Sequence, residues 1–234
     1  MKMKPSKLVT LALLTAALSS RAALYTFTFN GPFANSGNVP DGNLSGWADP
    51  QNLGGMYQQI TALQVKLNIT GGYNGDLYAY ISHDNVLIPL LNRVGVGSGN
   101  AFGSSDSGFN VTFTASGTDI HNASAGGGQL TGTYAADGRT ISPLSPAAAF
   151  DTASRVALSA YNNLDPNGLW YLFISDVSAG GGLSHVNSWE LDIAAVPEPV
   201  GIAMGIFAAL VVFGSVYRKL MSCAKPAQAR IAKR

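Results

Sequence analysis

Apolar and polar positions alternate along several stretches of this chain. Leu63, Val65, Leu67 and Ile69 alternate with Gln64, Lys66, Asn68 and Thr70, the period of two that a half-buried strand requires. Leu77, Ala79 and Ile81 alternate with Tyr78, Tyr80 and Ser82, and Phe109, Val111 and Phe113 with Asn110, Thr112 and Thr114. Leu169 to Asp176 is a denser apolar run, rich in aromatics, as expected of a central strand. Trp189, Leu191 and Ile193 close the region. Gly-rich turns separate these runs, at 71–72, 95–108, 126–128 and 180–182. No stretch from 24 to 195 sustains a period of 3.6. The pattern predicts an all-β fold, an antiparallel sandwich or barrel. It places the sandwich over residues 60–195. The Gly-, Asn-, Asp- and Pro-rich stretch inside 23–59 is expected to be an irregular N-terminal lead-in.

The two ends carry a different pattern. Lys2, Lys4 and Lys7 precede an apolar stretch, Leu8 to Leu18, and Ser19-Ser20-Arg21-Ala22 follows. Residues 1–22 therefore read as a secretory signal peptide cut after Ala22. Cleavage after Ala23 ranks second, because it puts Arg21 where a small residue is preferred. At the other end Val200 to Tyr217 is an apolar run of 18 residues without a charge. As a helix rising about 1.5 Å per residue it spans roughly 27 Å, close to a bilayer core. The expectation is one C-terminal transmembrane helix over 200–217. Arg218, Lys219, Lys225, Arg230, Lys233 and Arg234 follow with no acid among them, which marks 220–234 as a basic cytoplasmic tail.

Charge is divided accordingly. All thirteen acids lie between Asp41 and Glu198, and eleven are Asp. The cations between Ala23 and Pro199 are Lys66, Arg93, Arg139 and Arg155, so that region carries a formal charge of −9 while the full chain stands at +1. Such a domain repels nucleic acid and anionic surfaces. The single cysteine, Cys223, lies beyond the apolar run. The sandwich must then be held by its core without a disulfide.

Pro197-Glu198-Pro199, the apolar run and the Arg218-Lys219 pair together resemble the PEP-CTERM sorting signal of Gram-negative bacteria. That resemblance assigns 196–219 to the signal and implies processing by exosortase, a membrane cysteine protease. It also implies export across the inner membrane, transient anchoring, and release to a cell surface or extracellular matrix rich in exopolysaccharide and biofilm. The 15 residues from Leu220 to Arg234 are longer than the usual ending of that family. An anchor that is never cut is the plainer alternative.

A second set of residues resembles the P domain, or P/Homo B domain, which follows the catalytic domain in proprotein convertases. It comprises Ile60 to Ile69, then Asn74-Gly75-Asp76-Leu77 leading into a strand, Gly168-Leu169-Trp170 running to Asp176, a turn at 180–182, and Asn187-Ser188-Trp189 running to Ile193. The resemblance covers Ile60 to Ile193. It implies a jelly-roll, galactose-binding-like sandwich, and it raises the alternative of a module that serves a subtilisin-like serine protease.

Candidate chemistry is sparse. The three histidines, His83, His121 and His185, lack zinc-ligand spacing, and no serine sits in a Gly-x-Ser-x-Gly elbow. No protease catalytic domain is recognisable, so an enzyme is not expected. Asp76, Asp176 and Asp119 are the candidates for a Ca²⁺ site, although Asp in such loops more often serves turn chemistry. Tyr78 and Tyr80 lie on the face opposite Leu77, Ala79 and Ile81. With Trp47 they are the candidate ligand-binding residues, with burial inside the sandwich as the competing reading. The expectation is a non-catalytic surface protein that binds or organises extracellular polysaccharide, or contacts another surface protein as a matrix component.

Overall fold

The structure is a computed structural model that describes residues 21–224, without the side chains of 199–203 and 220–224. The chain divides into two units. One holds 22–196 and the other the segments outside it. The larger unit contains ten strands: β1 (Ala23–Phe29), β2 (Asn38–Val39), β3 (Asn43–Leu53), β4 (Gln59–Thr70), β5 (Leu77–His83), β6 (Val86–Asn92), β7 (Phe109–Asp119), β8 (Leu130–Ala135), β9 (Gly168–Asp176) and β10 (Ser184–Val196). They form two open sheets. A six-stranded sheet runs β1-β10-β4-β7-β8, with β2 also paired to β10, and a four-stranded sheet runs β3-β9-β5-β6.

The alternating runs become strands because each has one face to bury. Val65, Leu67 and Ile69 of β4, Phe109 and Phe113 of β7 and Leu191 and Ile193 of β10 point into one core. Leu77, Ala79 and Ile81 of β5 and Trp170, Leu172 and Ile174 of β9 meet them from the other sheet. Both core indoles find acceptors. Trp170 donates to the Pro166 carbonyl at 2.8 Å, and Trp189 reaches across the sandwich to Asp49 Oδ2 at 2.7 Å.

Three expectations are corrected. The lead-in over 23–59 is not irregular, since it supplies β1, β2 and β3 and contributes to both sheets. The sandwich is not wholly antiparallel, because β7 and β8 pair in parallel. The third concerns the C-terminal helix, Pro199–Ala224. It opens with proline at its first position, where a missing N–H leaves no bond unmade, and Pro197 and Glu198 link it to β10. Among the described residues no helix is long and apolar enough to cross a membrane. The transmembrane expectation for 200–217 is therefore not supported. The signal peptide falls, up to residue 20, outside the described residues, as does the tail from 225.

Candidate functional site: an aromatic outer sheet face

The outward faces of the two sheets differ in chemistry. On the six-stranded sheet the outward positions of β1, β10 and β4 form a polar ladder. Lys66 Nζ bonds Glu190 and lies 3.0 Å from Asp192. Thr28 donates to Glu190 at 2.6 Å and Thr26 to Asp192 at 2.5 Å. The Lys66 bond, then the Thr28 hydroxyl, holds Glu190 below the usual carboxylate range. This is an ordinary solvated face, with its charges paired across the strands.

The four-stranded sheet turns rings outward. Register places two rows across all four strands. One is Ala48, Phe173, Tyr80 and Pro89, and the next is Pro50, Tyr171, Ser82 and Leu87. Neighbouring strands lie about 4.8 Å apart, so the rings of adjacent strands meet. Tyr80 stacks on Phe173 with centroids 4.9 Å apart and planes 21° apart. It lies 6.3 Å from Tyr171 and 5.9 Å from Tyr78. All four rings are half-buried, and Leu87 and Leu169 beside them are 45% and 57% exposed. Burial, and then the neighbouring tyrosine in each case, raises the Tyr78 and Tyr80 phenols above their ordinary value. Both therefore remain neutral O–H groups at physiological pH. A flat, half-wet aromatic surface with hydroxyls at its rim can stack on the apolar face of a ring while bonding its polar edge.

Tyr78 and Tyr80 thus lie where the alternation puts them. Tyr171 and Phe173 extend the same surface but lie hidden in sequence, because Leu169 to Asp176 reads as apolar throughout. Their signal is the odd-numbered register, 169, 171 and 173, against the buried 170, 172 and 174. Trp47 does not belong to this surface. It is 3% exposed, donates to the Ala34 carbonyl at 3.0 Å and meets the Phe33 ring edge-on at 5.4 Å. The bulge between Asn43 and Trp47 turns that indole into the core.

The three Asp candidates are separated by their partners. Asp119 Oδ2 lies 3.1 Å from Arg139 and 3.0 Å from Arg155, and its Oδ1 accepts the His121 amide at 3.1 Å. Two guanidinium groups already neutralise it. The Asp76 turn is closed by backbone, with its amide donating to the Tyr73 carbonyl and its own carbonyl accepting from Val177. Burial raises its carboxyl, against the opposing pull of Arg93. Asp176 is fully buried. Its Oδ1 accepts the Ser178 amide at 3.1 Å, and its Oδ2 has no partner. Burial first, then the nearby Asp76 and Asp41 charges, push its carboxyl up to about 6. Among the described residues no group of three or more His, Cys, Asp or Glu side chains is placed to hold a metal ion.

A buried network that the spacing did not reveal lies around Asp137. Its Oδ2 is 2.7 Å from His121 Nδ1 and its Oδ1 is 3.2 Å from Arg139. His121 Nε2 faces the Val96 carbonyl at 2.8 Å. An Asp–His pair of this kind serves catalysis when the far nitrogen is free to take a proton from a nucleophile. Here that nitrogen donates to a backbone carbonyl, and the pair ties loops together.

No family model matches this chain, and no curated protein matches it. Among solved structures it is similar to a chain of the Aeromonas sobria serine protease complex with the chaperone ORF2. That match has a TM-score of 0.43 at 12% identity and covers 80% of this chain and 29% of the other. It is also similar to the serine protease of Aeromonas sobria, with a TM-score of 0.42 at 11% identity, over 78% and 29% of the two chains. This chain spans under a third of either.

Proposed function

We propose that this sandwich is a non-catalytic exported surface protein of the jelly-roll, galactose-binding-like kind. It binds extracellular polysaccharide through the aromatic face of its four-stranded sheet. The observation that carries the proposal is the pair of rows with Tyr80, Phe173 and Tyr171 stacked at their centre, on a sheet whose counterpart presents a polar ladder around Lys66, Glu190 and Asp192. A contiguous ring surface left half-exposed on a soluble unit is the form taken by an interaction site. Sugar rings suit it because they offer a C–H face to the aromatic plane and hydroxyls to the Tyr78 and Tyr80 phenols. Pro197, Glu198 and Pro199, with Arg218 and Lys219, support sorting by exosortase to a Gram-negative cell surface or matrix.

Co-sedimentation with exopolysaccharide from the producing organism tests this proposal. Saturable binding that falls at least tenfold in Tyr80→Ala is the expected result. Absence of binding would move the search to protein partners. The first of these is a separate subtilisin-like protease served by the domain, the alternative that the P-domain resemblance raises.

A further inference from the structure

The aromatic face runs into a cleft of about 740 Å³ at one end, within the usual range for small-ligand sites. One wall is the β5–β6 hairpin, whose tip residues Asp84 and Asn85 are held at φ 46° and 62°. The other is the segment from Asp165 into β9. Tyr171 and Leu87, both in the second row of the aromatic face, also line the cleft. The platform and the cleft are therefore one continuous surface.

The walls are preformed. His83 lies beneath them with Nδ1 2.9 Å from the Leu169 carbonyl and Nε2 2.6 Å from the Asp165 carbonyl, its ring flat on Trp170 at 4.1 Å and 3°. Asp165 Oδ1 accepts from the Asn167 amide at 2.9 Å and from its side chain at 2.6 Å. Asn167 in turn bonds the Met56 backbone through both ends of its amide. A cleft fixed in this way needs little ordering when a ligand enters.

Two carboxylates, Asp84 and Asp165, line the cleft, and among its described lining residues there is no Lys or Arg. Ser82, His83, Asn85 and Asn167 also line it. Carboxylates accept hydrogen bonds from hydroxyls, and two of them with no Lys or Arg beside them disfavour a further negative charge. We infer that this cleft is the specificity subsite of the platform, taking an uncharged, hydroxyl-rich sugar residue and rejecting uronate or sulfated ones. The inference rests on the polysaccharide-binding reading above.

The test is titration of the full chain with neutral hexamers of glucose, mannose and galactose, and with a galacturonate hexamer. At least one neutral hexamer is expected to bind at least tenfold more tightly than the uronate. Leu87→Arg places a cation at an exposed lip on an edge strand. It is expected to weaken the neutral probe at least fivefold and to narrow the gap to the uronate. Asp84→Asn, at a turn position that Asn accepts readily, is expected to narrow the gap at least threefold. Tyr80→Ala, outside the cleft, is expected to weaken both probes by the same factor. If Tyr80→Ala abolishes binding while Leu87→Arg and Asp84→Asn leave the preference unchanged, the subsite is overturned and the platform stands. If no hexamer binds the unaltered chain, both fall.

Discussion

Asp176→Asn isolates the cost of one buried carboxylate. Burial pushes that carboxyl from its ordinary value of 3.8 up to about 6. At 1.36 kcal/mol per pKa unit, and with a discount for solvent screening, ionised Asp176 costs the folded state about 1–3 kcal/mol at neutral pH. The sign is opposite to that of a salt-bridged acid. Between about pH 6 and 4 the folded state binds a proton that the unfolded chain does not, so this group adds stability as pH falls through that window. Below it the contribution is constant. Asparagine is close in shape and uncharged, and its oxygen can still accept the Ser178 amide. Urea unfolding followed by tryptophan fluorescence should find the variant about 1–3 kcal/mol more stable at pH 7.5 and level with the parent at pH 4. A difference that stays the same at both pH values would refute the reasoning, as would a less stable variant at pH 7.5. If instead a calcium chelator weakened the parent at pH 7.5 as much as the substitution does, the carboxylate would be a cation ligand.

Three further outcomes are expected. Gly75→Ala would set a Cβ 2.5 Å from the Phe102 carbonyl oxygen and 2.7 Å from the Ser104 nitrogen, both backbone atoms. Thermal melts should register about 1–3 kcal/mol of overpacking. Asp137→Ala removes the carboxylate shared by His121 and Arg139; about 3–5 kcal/mol should be lost in denaturant titration, because the buried His121 ring loses its carboxylate and Arg139 keeps only Asp119. Asp106 accepts the Ala125 amide at 2.6 Å and the Gly127 amide at 2.5 Å. Against the opposing effect of burial, these bonds hold its carboxyl below the ordinary value. Its contribution is present at neutral pH and lost as pH falls below the usual carboxylate range. Hydrogen exchange at Ala125 and Gly127 should accelerate in Asp106→Ala at pH 7.

The strands that were legible in sequence are those whose inward positions are mostly apolar: β4, β5, β7, β9 and β10. Strand β3 was not, because Asp49 occupies an inward position where a hydrophobe would be expected. Its carboxylate is there to accept the Trp189 indole from the opposite sheet, a need that exists only once the sheets are packed. Strand β6 hides for a different reason. Its buried run, Ile88 to Asn92, contains Pro89 and shows no alternation, and Pro89 is tolerated because β6 is an edge strand. At the site, Tyr78 and Tyr80 could be read from their spacing alone. Tyr171 and Phe173 could not, because only register brings them beside Tyr80. Trp47 misled because nothing local shows that the chain bulges before it. Asp119 misled because both of its arginine partners are distant in sequence.

The position of β10 has a mechanical consequence. Over residues 189–195 it is flanked by β1 and β4, antiparallel on both sides, with Ala195 opposite Ala23 and Ile60. Tension applied at Pro197, while the sandwich grips a polymer elsewhere, would run along β10 itself. Two ladders of hydrogen bonds would then have to slide together, rather than open one rung at a time from an edge. A load on this end of the sandwich would therefore meet both ladders at once.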